Sequence, residues 1–262
     1  MAKILRVNMT DRTAAYEEVP EKYQHLAGRG LTSTMIYDEV DPTCHPLGPN
    51  NKLVFAPGLM TGTVAPTSGR VSVGGKSPLT GTIKESNAGT KWGQQVAKLG
   101  IKAIVVEGRP EEEGWWGLHI TKDDVEFFNA EEYTDQGLYD MAPSVFERFG
   151  DRVGMMTIGL AGEKKMAMAG ISFNDMENRP SRYSGRGGLG AVAGSKGLKF
   201  IIVDDTDAPG VEIADKDIFD QGRKKMLNAL RSHDITKPKG GLNTYGTAVL
   251  VNIINEAGAY PT

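Results

Sequence analysis

The chain has 262 residues, which suffices for one large core or for one domain with part of a second. A formal net charge of −3 gives no reason to expect nucleic acid or an acidic membrane surface as a partner, and 39% hydrophobic residues are ordinary for a globular protein. Cys44 is the only cysteine, which excludes an internal disulfide and a cysteine-ligated cluster within these residues. No stretch approaches the roughly 20 apolar residues of a membrane-spanning helix, so we expect a cytoplasmic location.

The first part of the chain is predicted to alternate short strands with short helices. In chain order the predicted strands are 2–8, 52–56, 69–75, 102–107, a hairpin over 117–125 and 127–128, 153–158, 166–173 and 199–204. The predicted helices are a stretch that follows Gly28-Arg29-Gly30 and ends before Asp41, then 92–99, 139–149 and 190–195. Such a mixture is typical of an α+β fold.

The character of the sequence changes after Asp204. Residues 205–210 form a turn-rich linker, 215–233 have the spacing of an amphipathic helix, and 245–256 form an apolar helix with Gly258 as its C-terminal stop. That last helix is apolar on nearly all sides, so we expect it to be surrounded by protein that the residues after the linker, 211–262, are too few to supply. The predicted domains are therefore 1–208 and 209–262.

The 33 glycines are concentrated in residues 58–93 and 185–197. Clustered glycine indicates sharp turns or close approach of the backbone to another group. The two regions also carry a weak internal repeat, since residues 99–107 (LGIKAIVVE) align with 196–204 (KGLKFIIVD). Each copy follows a glycine-rich loop and a short helix, which indicates either a duplication or a chance likeness between common strand sequences.

The most informative stretch is 182–190 (RYSGRGGLG), which opens a short helix. Arg182 and Arg186 can each bind phosphate oxygens through two N–H groups, and glycines let backbone N–H groups approach the same anion beside a helix start. The stretch predicts either a site for a phosphate-bearing ligand or a mobile Gly-Arg surface loop. It is not a Walker loop, and because no strand is predicted directly before it, it does not match the dinucleotide fingerprint.

A second stretch repeats these ingredients, with Arg70, the hydroxyls of Ser77 and Thr80, and Asn87 and Gly89. An asparagine beside glycine is either a turn residue or a ligand contact. Nucleophiles and acid–base groups are poorly represented: the four histidines lie in unrelated contexts, and no HxH, HxxE or CxxC spacing occurs. The residues alone predict a protein that binds a bulky phosphorylated ligand, with the reactive group brought by that ligand.

At these loops the sequence resembles the aldehyde ferredoxin oxidoreductase family of tungsten enzymes. The likeness covers nearly the whole chain in order. Its strings are 41–42 (DP), 51–53 (NKL), 59–66 (LMTGTVAP) with Gly69-Arg70, 76–81 (KSPLTG), 87–89 (NAG), 103–108 (AIVVEG), 161–163 (AGE), 185–199 (GRGGLGAVAGSKGLK) and 245–255 (YGTAVLVNIIN).

The resemblance implies an N-terminal domain of two pseudosymmetric β-sheet halves with short helices, followed by the first helices of an all-α domain. The domain would hold a tungstopterin, in which two molybdopterin-type pterins bind tungsten through their own sulfurs. The residues expected to contact one pterin are Arg70, Asn87, Ala88 and Gly89, and those expected to contact the other are Arg182, Tyr183, Gly185 and Arg186. Backbone carbonyls of Asn87 and Tyr183 would bind a magnesium ion that bridges the phosphates. Tyr183 departs from the small residue of the family pattern.

The implied activity is oxidation of an aldehyde with water to a carboxylate, with electrons passing through a 4Fe-4S cluster to ferredoxin or to an electron-transfer subunit; a homodimer is possible. The cluster cysteines of the family, and its glutamate and histidine near the tungsten, would follow Thr262. We therefore expect a fragment that is inactive alone and carries no catalytic residue. The alternatives are a subunit of a related tungsten carboxylate or aromatic-ring reductase, a stand-alone metallopterin carrier, and a Gly-Arg nucleic-acid binder.

Overall fold

The structure is a computed structural model that describes residues 2–260. Within these residues, two six-stranded mixed sheets with their helices form one compact unit that extends to Val211. A second compact unit, made of helices, begins at Glu212. The predicted α+β class is confirmed, whereas the functional division at residue 208 remains a prediction.

The first sheet and its helices occupy the first half of the larger unit. Its elements are β1 (Lys3–Asn8), β2 (Thr13–Glu18), α1 (Gly28–Glu39), β3 (Leu53–Pro57), β4 (Arg70–Lys76), β5 (Ile83–Gly89), α2 (Lys91–Lys98) and β6 (Ile101–Glu107). The strand order is β2-β1-β6-β3-β4-β5, with β1 parallel to β6 and every other pair antiparallel.

The second half repeats this arrangement. Its elements are β7 (Trp116–Ile120), β8 (Val125–Asn129), α3 (Leu138–Phe149), β9 (Gly154–Thr157), α4 (Leu160–Glu163), β10 (Ile171–Phe173), β11 (Arg182–Ser184), α5 (Leu189–Ser195) and β12 (Leu198–Val203). The order β8-β7-β12-β9-β10-β11, with β7 parallel to β12, is that of the first sheet strand for strand. The repeat predicted from residues 99–107 and 196–204 is therefore a duplication of the whole half.

The main core lies between the sheets and includes one face of each, together with α2 and α5. Helix α1 covers the outer face of the first sheet, and α3 covers that of the second. The central strands β6 and β12 are buried on both faces, which explains why their sequences are continuous apolar runs rather than alternating patterns.

Hydrogen bonds from α2 and from the end of α5 join the halves. From α2, Gln95 Nε2 donates to the carbonyl of Arg152 at 2.7 Å, two residues before β9. From the residue after α5, Lys196 Nζ donates to the carbonyl of Asn51, two residues before β3. The two acceptor carbonyls occupy equivalent positions of the duplication, whereas the two donors do not. In addition, Trp92 Nε1 donates to the carbonyl of Ile201 at 2.9 Å, deep in the core.

Several predicted elements differ from the structure. The predicted strand 166–173 is wrong before Ile171, because the chain turns there, with Ala169 N bonded to Met166 O. Residues 87–89, predicted as loop, belong to strand β5, and Arg182–Ser184 form strand β11. Strand β2 and helix α4 were not predicted at all. Strand β2 is mostly exposed and lacks a clear alternation of polar and apolar residues, and α4 is only four residues long, so neither shows a periodic pattern.

The second unit contains α6 (Lys216–Ser232), α7 (Gly241–Tyr245), a 3₁₀ turn and α8 (Leu250–Glu256). The helix predicted over 245–256 is confirmed for Leu250–Glu256 but not before it, because Gly246 has a φ of 59° and Gly246–Val249 form the 3₁₀ turn. Gly258, with a φ of 65°, follows the last turn of α8 as predicted. None of the residues of these helices is buried. No helix within the described residues is both long and apolar enough to cross a bilayer.

Candidate functional site

The site predicted from sequence lies where the edge strands of the two sheets meet. Strands β5 and β11 are the last strands of their sheets and lie beside each other. Ser86 Oγ, on β5, accepts a hydrogen bond from Arg186 N at 3.2 Å, just after β11. The duplication therefore brings both arginine- and glycine-rich segments to one place on the surface.

The first candidate anion site comprises Arg70, Asn87, Ala88 and Gly89. Arg70 begins β4 and faces Gly89 across the strand pair, while Asn87 faces Ser72. Arg70 Nε donates to Asn87 Oδ1, and Asn87 Nδ2 donates to Ser72 Oγ at 3.1 Å. This chain of hydrogen bonds fixes an exposed guanidinium beside a glycine, so backbone and side-chain donors are available to one anion.

Helix α1 begins against this first site. A Cβ added to Gly28 would meet Ser72 Oγ at 3.5 Å and the backbone of Gly58 at 3.8 Å. Ala27 precedes the helix, no side chain caps it, and its first turn contains no acidic residue. Its first N–H groups and the positive end of its dipole therefore lie close to Ser72 and Asn87.

The second candidate anion site comprises Arg182, Tyr183, Gly185 and Arg186. Arg182 and Tyr183 pair with Phe173 and Ser172 of β10, and the chain then turns into α5. That turn needs glycine, because Gly188 has a φ of 72° and an added Cβ would lie 2.0 Å from the carbonyl oxygen of Ala167. Arg182, Gly185 and Arg186 are exposed, and the Tyr183 side chain is about half exposed.

The first half of the chain supports the second site. Ser77 Oγ donates to Gly187 O at 2.6 Å and accepts from the backbone N–H groups of Leu79 and Thr80 at 3.1 Å. The aliphatic part of Lys84 lies over Gly187, where an added Cβ would clash with it. Sequence reasoning missed this support, because more than a hundred residues separate the partners.

The registers of the paired strands show which residues of the two sites are equivalent. Asn87 pairs with Ser72 in the first half, and Tyr183 pairs with Ser172 in the second. The strands β5 and β11 thus present Asn87 and Tyr183 at matching positions, as the magnesium prediction requires. Their role toward a metal stays a prediction.

An aspartate that sequence reasoning overlooked organises the turn before β11. The carboxylate of Asp175 accepts hydrogen bonds from the backbone N–H groups of Glu177 at 2.8 Å and Arg179 at 3.0 Å, and from Ser181 Oγ at 2.9 Å. Burial alone would raise the pKa of Asp175, but these bonds and the Arg179 side chain outweigh it and leave the pKa far below its ordinary value. The turn is therefore fixed, and with it the start of β11.

The chemistry of the site suits a large polyanion that brings its own metal ligands. Among the buried polar atoms of residues 2–260 that lack a hydrogen-bond partner, two lie on the site strands: Glu85 Oε1 on β5 and Ser184 Oγ on β11. Buried polar atoms without partners are uncommon in native structures and call for a partner such as an ordered water or ion. Nowhere in that range do three or more His, Cys, Asp or Glu side chains form a group that could hold a metal ion. A metal here would need ligands from a cofactor or from backbone carbonyls.

The prediction that no strand precedes the glycines of 185–190 is wrong. A strand, β11, does lead directly into Gly185 and the following glycines, although none was predicted there. The dinucleotide fingerprint is excluded on different grounds. Among residues 2–260, β11 pairs with β10 alone and antiparallel to it, whereas that fingerprint belongs to a parallel βαβ unit.

Comparison with known proteins agrees with this geometry. Residues 4–205 match the family described as aldehyde ferredoxin oxidoreductase, N-terminal domain. The chain is 41% identical to the tungsten-containing aldehyde ferredoxin oxidoreductases of Pyrococcus abyssi and of Pyrococcus horikoshii, over 99% of this chain and 42% of each relative. The chain therefore spans less than half the length of these relatives.

A solved structure has the same fold. The active site complex BamBC of benzoyl coenzyme A reductase, determined in complex with 1,5-dienoyl-CoA, superimposes with a TM-score of 0.81 at 27% sequence identity. The match covers 89% of this chain and 35% of the other chain. Together, the duplicated sheets, the paired Arg-Gly segments and the extent of the family match show that this chain belongs to the aldehyde ferredoxin oxidoreductase family.

Proposed function

We propose that this chain is the cofactor-binding part of a tungsten-dependent aldehyde oxidoreductase. The observation that carries the proposal is the meeting of two equivalent arginine- and glycine-rich sites at the edge strands β5 and β11. A tungsten bis-pterin has two similar phosphate-bearing halves, so two related sites side by side suit its shape and charge. Arg70, Asn87, Ala88 and Gly89 would hold one phosphate end, and Arg182, Tyr183, Gly185 and Arg186 the other.

A magnesium ion between the two phosphates forms part of the proposal. The backbone carbonyls of Asn87 and Tyr183 would bind it, because a small divalent cation prefers oxygen ligands and commonly binds together with phosphates. The matching register of these two residues against Ser72 and Ser172 supports the assignment. A carbonyl ligand tolerates tyrosine in place of a small residue, since the side chain takes no part.

In the whole protein, the bound tungsten-pterin group would supply the two-electron redox chemistry that converts an aldehyde and water to a carboxylate. The residues of this chain bind and orient that group; we assign none of them to the reacting atoms. We further propose ferredoxin or an electron-transfer subunit as the acceptor, reached through a 4Fe-4S cluster held outside this chain. A cytoplasmic location and a possible homodimer complete the proposal.

Replacing Arg182 and Arg186 together by alanine tests the second anion site. In a cofactor-loaded preparation, tungsten and pterin content should fall in parallel, because each lost charge-assisted hydrogen bond removes about 1.5–3 kcal/mol of binding. Tungsten is measured by inductively coupled plasma mass spectrometry, and pterin by the fluorescence of its oxidised product.

The control is Arg148→Ala, which removes an arginine of α3 that pairs with Glu132 at 3.1 Å and stacks on Phe128 and Phe149. This variant should keep its cofactor. Full tungsten and pterin content in the Arg182/Arg186 double variant would contradict the proposed phosphate role.

A second candidate is a subunit of a related tungsten reductase. The likeness to the BamBC complex over 89% of the chain favours it, because the fold alone does not separate the two activities. Substrate contacts would come from outside this chain in either case. Assaying the loaded protein with aldehydes and with aromatic acyl thioesters separates the candidates: aldehyde-dependent reduction of ferredoxin supports the first, and its absence together with ring reduction supports the second.

A further inference from the structure

An arginine outside both anion sites pairs with a largely buried carboxylate. Arg29 lies on the first turn of α1, and its Nε donates to Glu85 Oε2 at 3.1 Å. Its terminal nitrogens make no hydrogen bond to any residue within 2–260, and the side chain is 78% exposed. Arg29 therefore contacts its carboxylate through one nitrogen only, and the two-nitrogen end of the guanidinium remains available.

The carboxylate partner belongs to the strand of the first anion site. Glu85 lies on β5 two residues before Asn87, so both side chains leave the same face of the sheet, the one covered by α1. Two residues of a strand correspond to about 7 Å. The Glu85 side chain is only 9% exposed, and its other oxygen, Oε1, has no partner within the described residues. The buried carboxylate thus holds Arg29 close to Asn87 and to the uncapped start of α1.

The two anion sites have unequal numbers of arginines unless Arg29 is included. The second site has two arginines, Arg182 and Arg186, whereas the first has only Arg70. The duplication gives α1 and α3 the same length of 12 residues, and their first residues lie against matching glycines, Gly58 and Gly159. In α3 the position that corresponds to Arg29 is Tyr139. The extra cation therefore occurs only in the half that has one arginine.

We propose that Arg29 is a further anion-binding residue of the first site, and that its free N–H groups bind oxygens of the phosphate held by Arg70. The inference rests on the proposed function and adds to it a residue from a separate element, α1. Glu85 acts as a positioning residue, because it orients the guanidinium through Nε and leaves the terminal nitrogens for the ligand. The competing explanation is that Arg29 does no more than neutralise a buried carboxylate.

The variants R29A, E85Q and R29A/E85Q separate these explanations. The probe is inorganic pyrophosphate with magnesium, titrated into the 262-residue chain by calorimetry. We expect R29A to weaken binding about tenfold, because one charge-assisted contact is worth on the order of 1.4 kcal/mol or more. If Arg29 contacts the anion, R29A/E85Q should bind as weakly as R29A. E85Q carries no buried charge, so the double variant remains a folded comparison even where R29A is destabilised.

Recovery of pyrophosphate affinity in R29A/E85Q to the level of E85Q would overturn the inference, since neutralising Glu85 would then explain the arginine. Unchanged affinity in R29A would overturn it as well. The variants R70A and R186A keep the outcomes distinct. A loss in these two alone rejects the role of Arg29 and leaves the proposed function standing, whereas no loss in R29A, R70A or R186A rejects both.

Discussion

Lys196 is a fully buried lysine without a carboxylate partner among the residues that the structure describes. Its ammonium donates to the backbone carbonyls of Asn51 and of Gly108, the latter at 3.1 Å, and so joins the end of α5 to the first half. Burial lowers the pKa of Lys196 to about 7, and nearby Lys52 adds to this effect, while Glu107 opposes it. The residue stabilises the junction by hydrogen bonding, although its charged form is costly there.

The free energy of unfolding should therefore rise with pH above neutrality. The unfolded chain keeps the Lys196 proton up to about pH 10.5, the ordinary pKa of lysine, whereas the folded protein releases it near pH 7. Because the unfolded state binds more protons between these values, this group adds about 1.4 kcal/mol of stability per pH unit there. Lys196→Met should flatten the rise.

Urea unfolding of both proteins at pH values from about 6 to about 10 measures the difference. Lys122→Met, at an exposed turn position between β7 and β8, serves as the control and should keep the original pH dependence. Parallel curves for the original protein and Lys196→Met would show that Lys196 keeps its proton on folding.

At the scale of elements, the close packing of α5 against its neighbours depends on its glycines. Cβ atoms added to Gly190 and Gly194 would lie 2.2 Å and 2.0 Å from the carbonyl oxygens of Gly170 and Gly162. The helix therefore rests directly on the backbone between β9 and β10, and it carries the turn of the second anion site at its start. The clustering of glycine in 185–197 was visible in the sequence, but its partner segment was not.

Gly194→Ala should destabilise the larger unit by about 1–3 kcal/mol or more, because backbone rather than a flexible side chain must move to admit the methyl group. The same substitution at Gly30 of α1, where the nearest atom is Leu26 Cδ2 at 3.8 Å, should be neutral or stabilising by up to about 1 kcal/mol. Thermal and urea unfolding compare the two. Equal effects would mean that α5 shifts away from its neighbour at little cost.

Strand elements were predictable where burial dominates their sequence. The apolar runs of β6 and β12 indicate central strands on their own, because both faces are covered. Strand β5 contains Asn87 and Gly89, which disfavour strands, and β11 has only three residues. Their conformation follows from pairing with β4 and β10. The Arg-Gly chemistry of the site could thus be read from the sequence, whereas the hydrogen bonds Ser77–Gly187 and Ser86–Arg186 required the fold.

At the scale of the whole molecule, the two units differ in how much they bury. The unit up to Val211 has a continuous core, whereas the helices from Lys216 onward bury no side chain, and Leu250, Val251 and Ile253 are exposed. Exposed apolar side chains in this number are uncommon on a soluble surface unless another protein segment covers them. Local unfolding of such helices should need little free energy.

Limited trypsin digestion of the 262-residue chain should therefore cut first after Lys216 and at the basic residues of α6. Mass spectrometry should find a resistant product that begins near the N-terminus and ends close to Lys216. Inhibiting the protease at successive times gives the order of cleavage. Early cuts within the sheets, or an intact second unit at late times, would show that the two units do not differ in local stability as their burial predicts.

The placement of α2 and α5 between the sheets has a consequence for how the protein arose. A single half would leave Trp92 and Val96 of α2, or Leu189 and Val192 of α5, open to water, because the opposite sheet is what covers them. We infer that an ancestral protein made of a single half would have needed a second copy of itself to cover these side chains. In the duplicated chain the two halves can differ residue by residue, as Arg29 and Tyr139 do at one structural position.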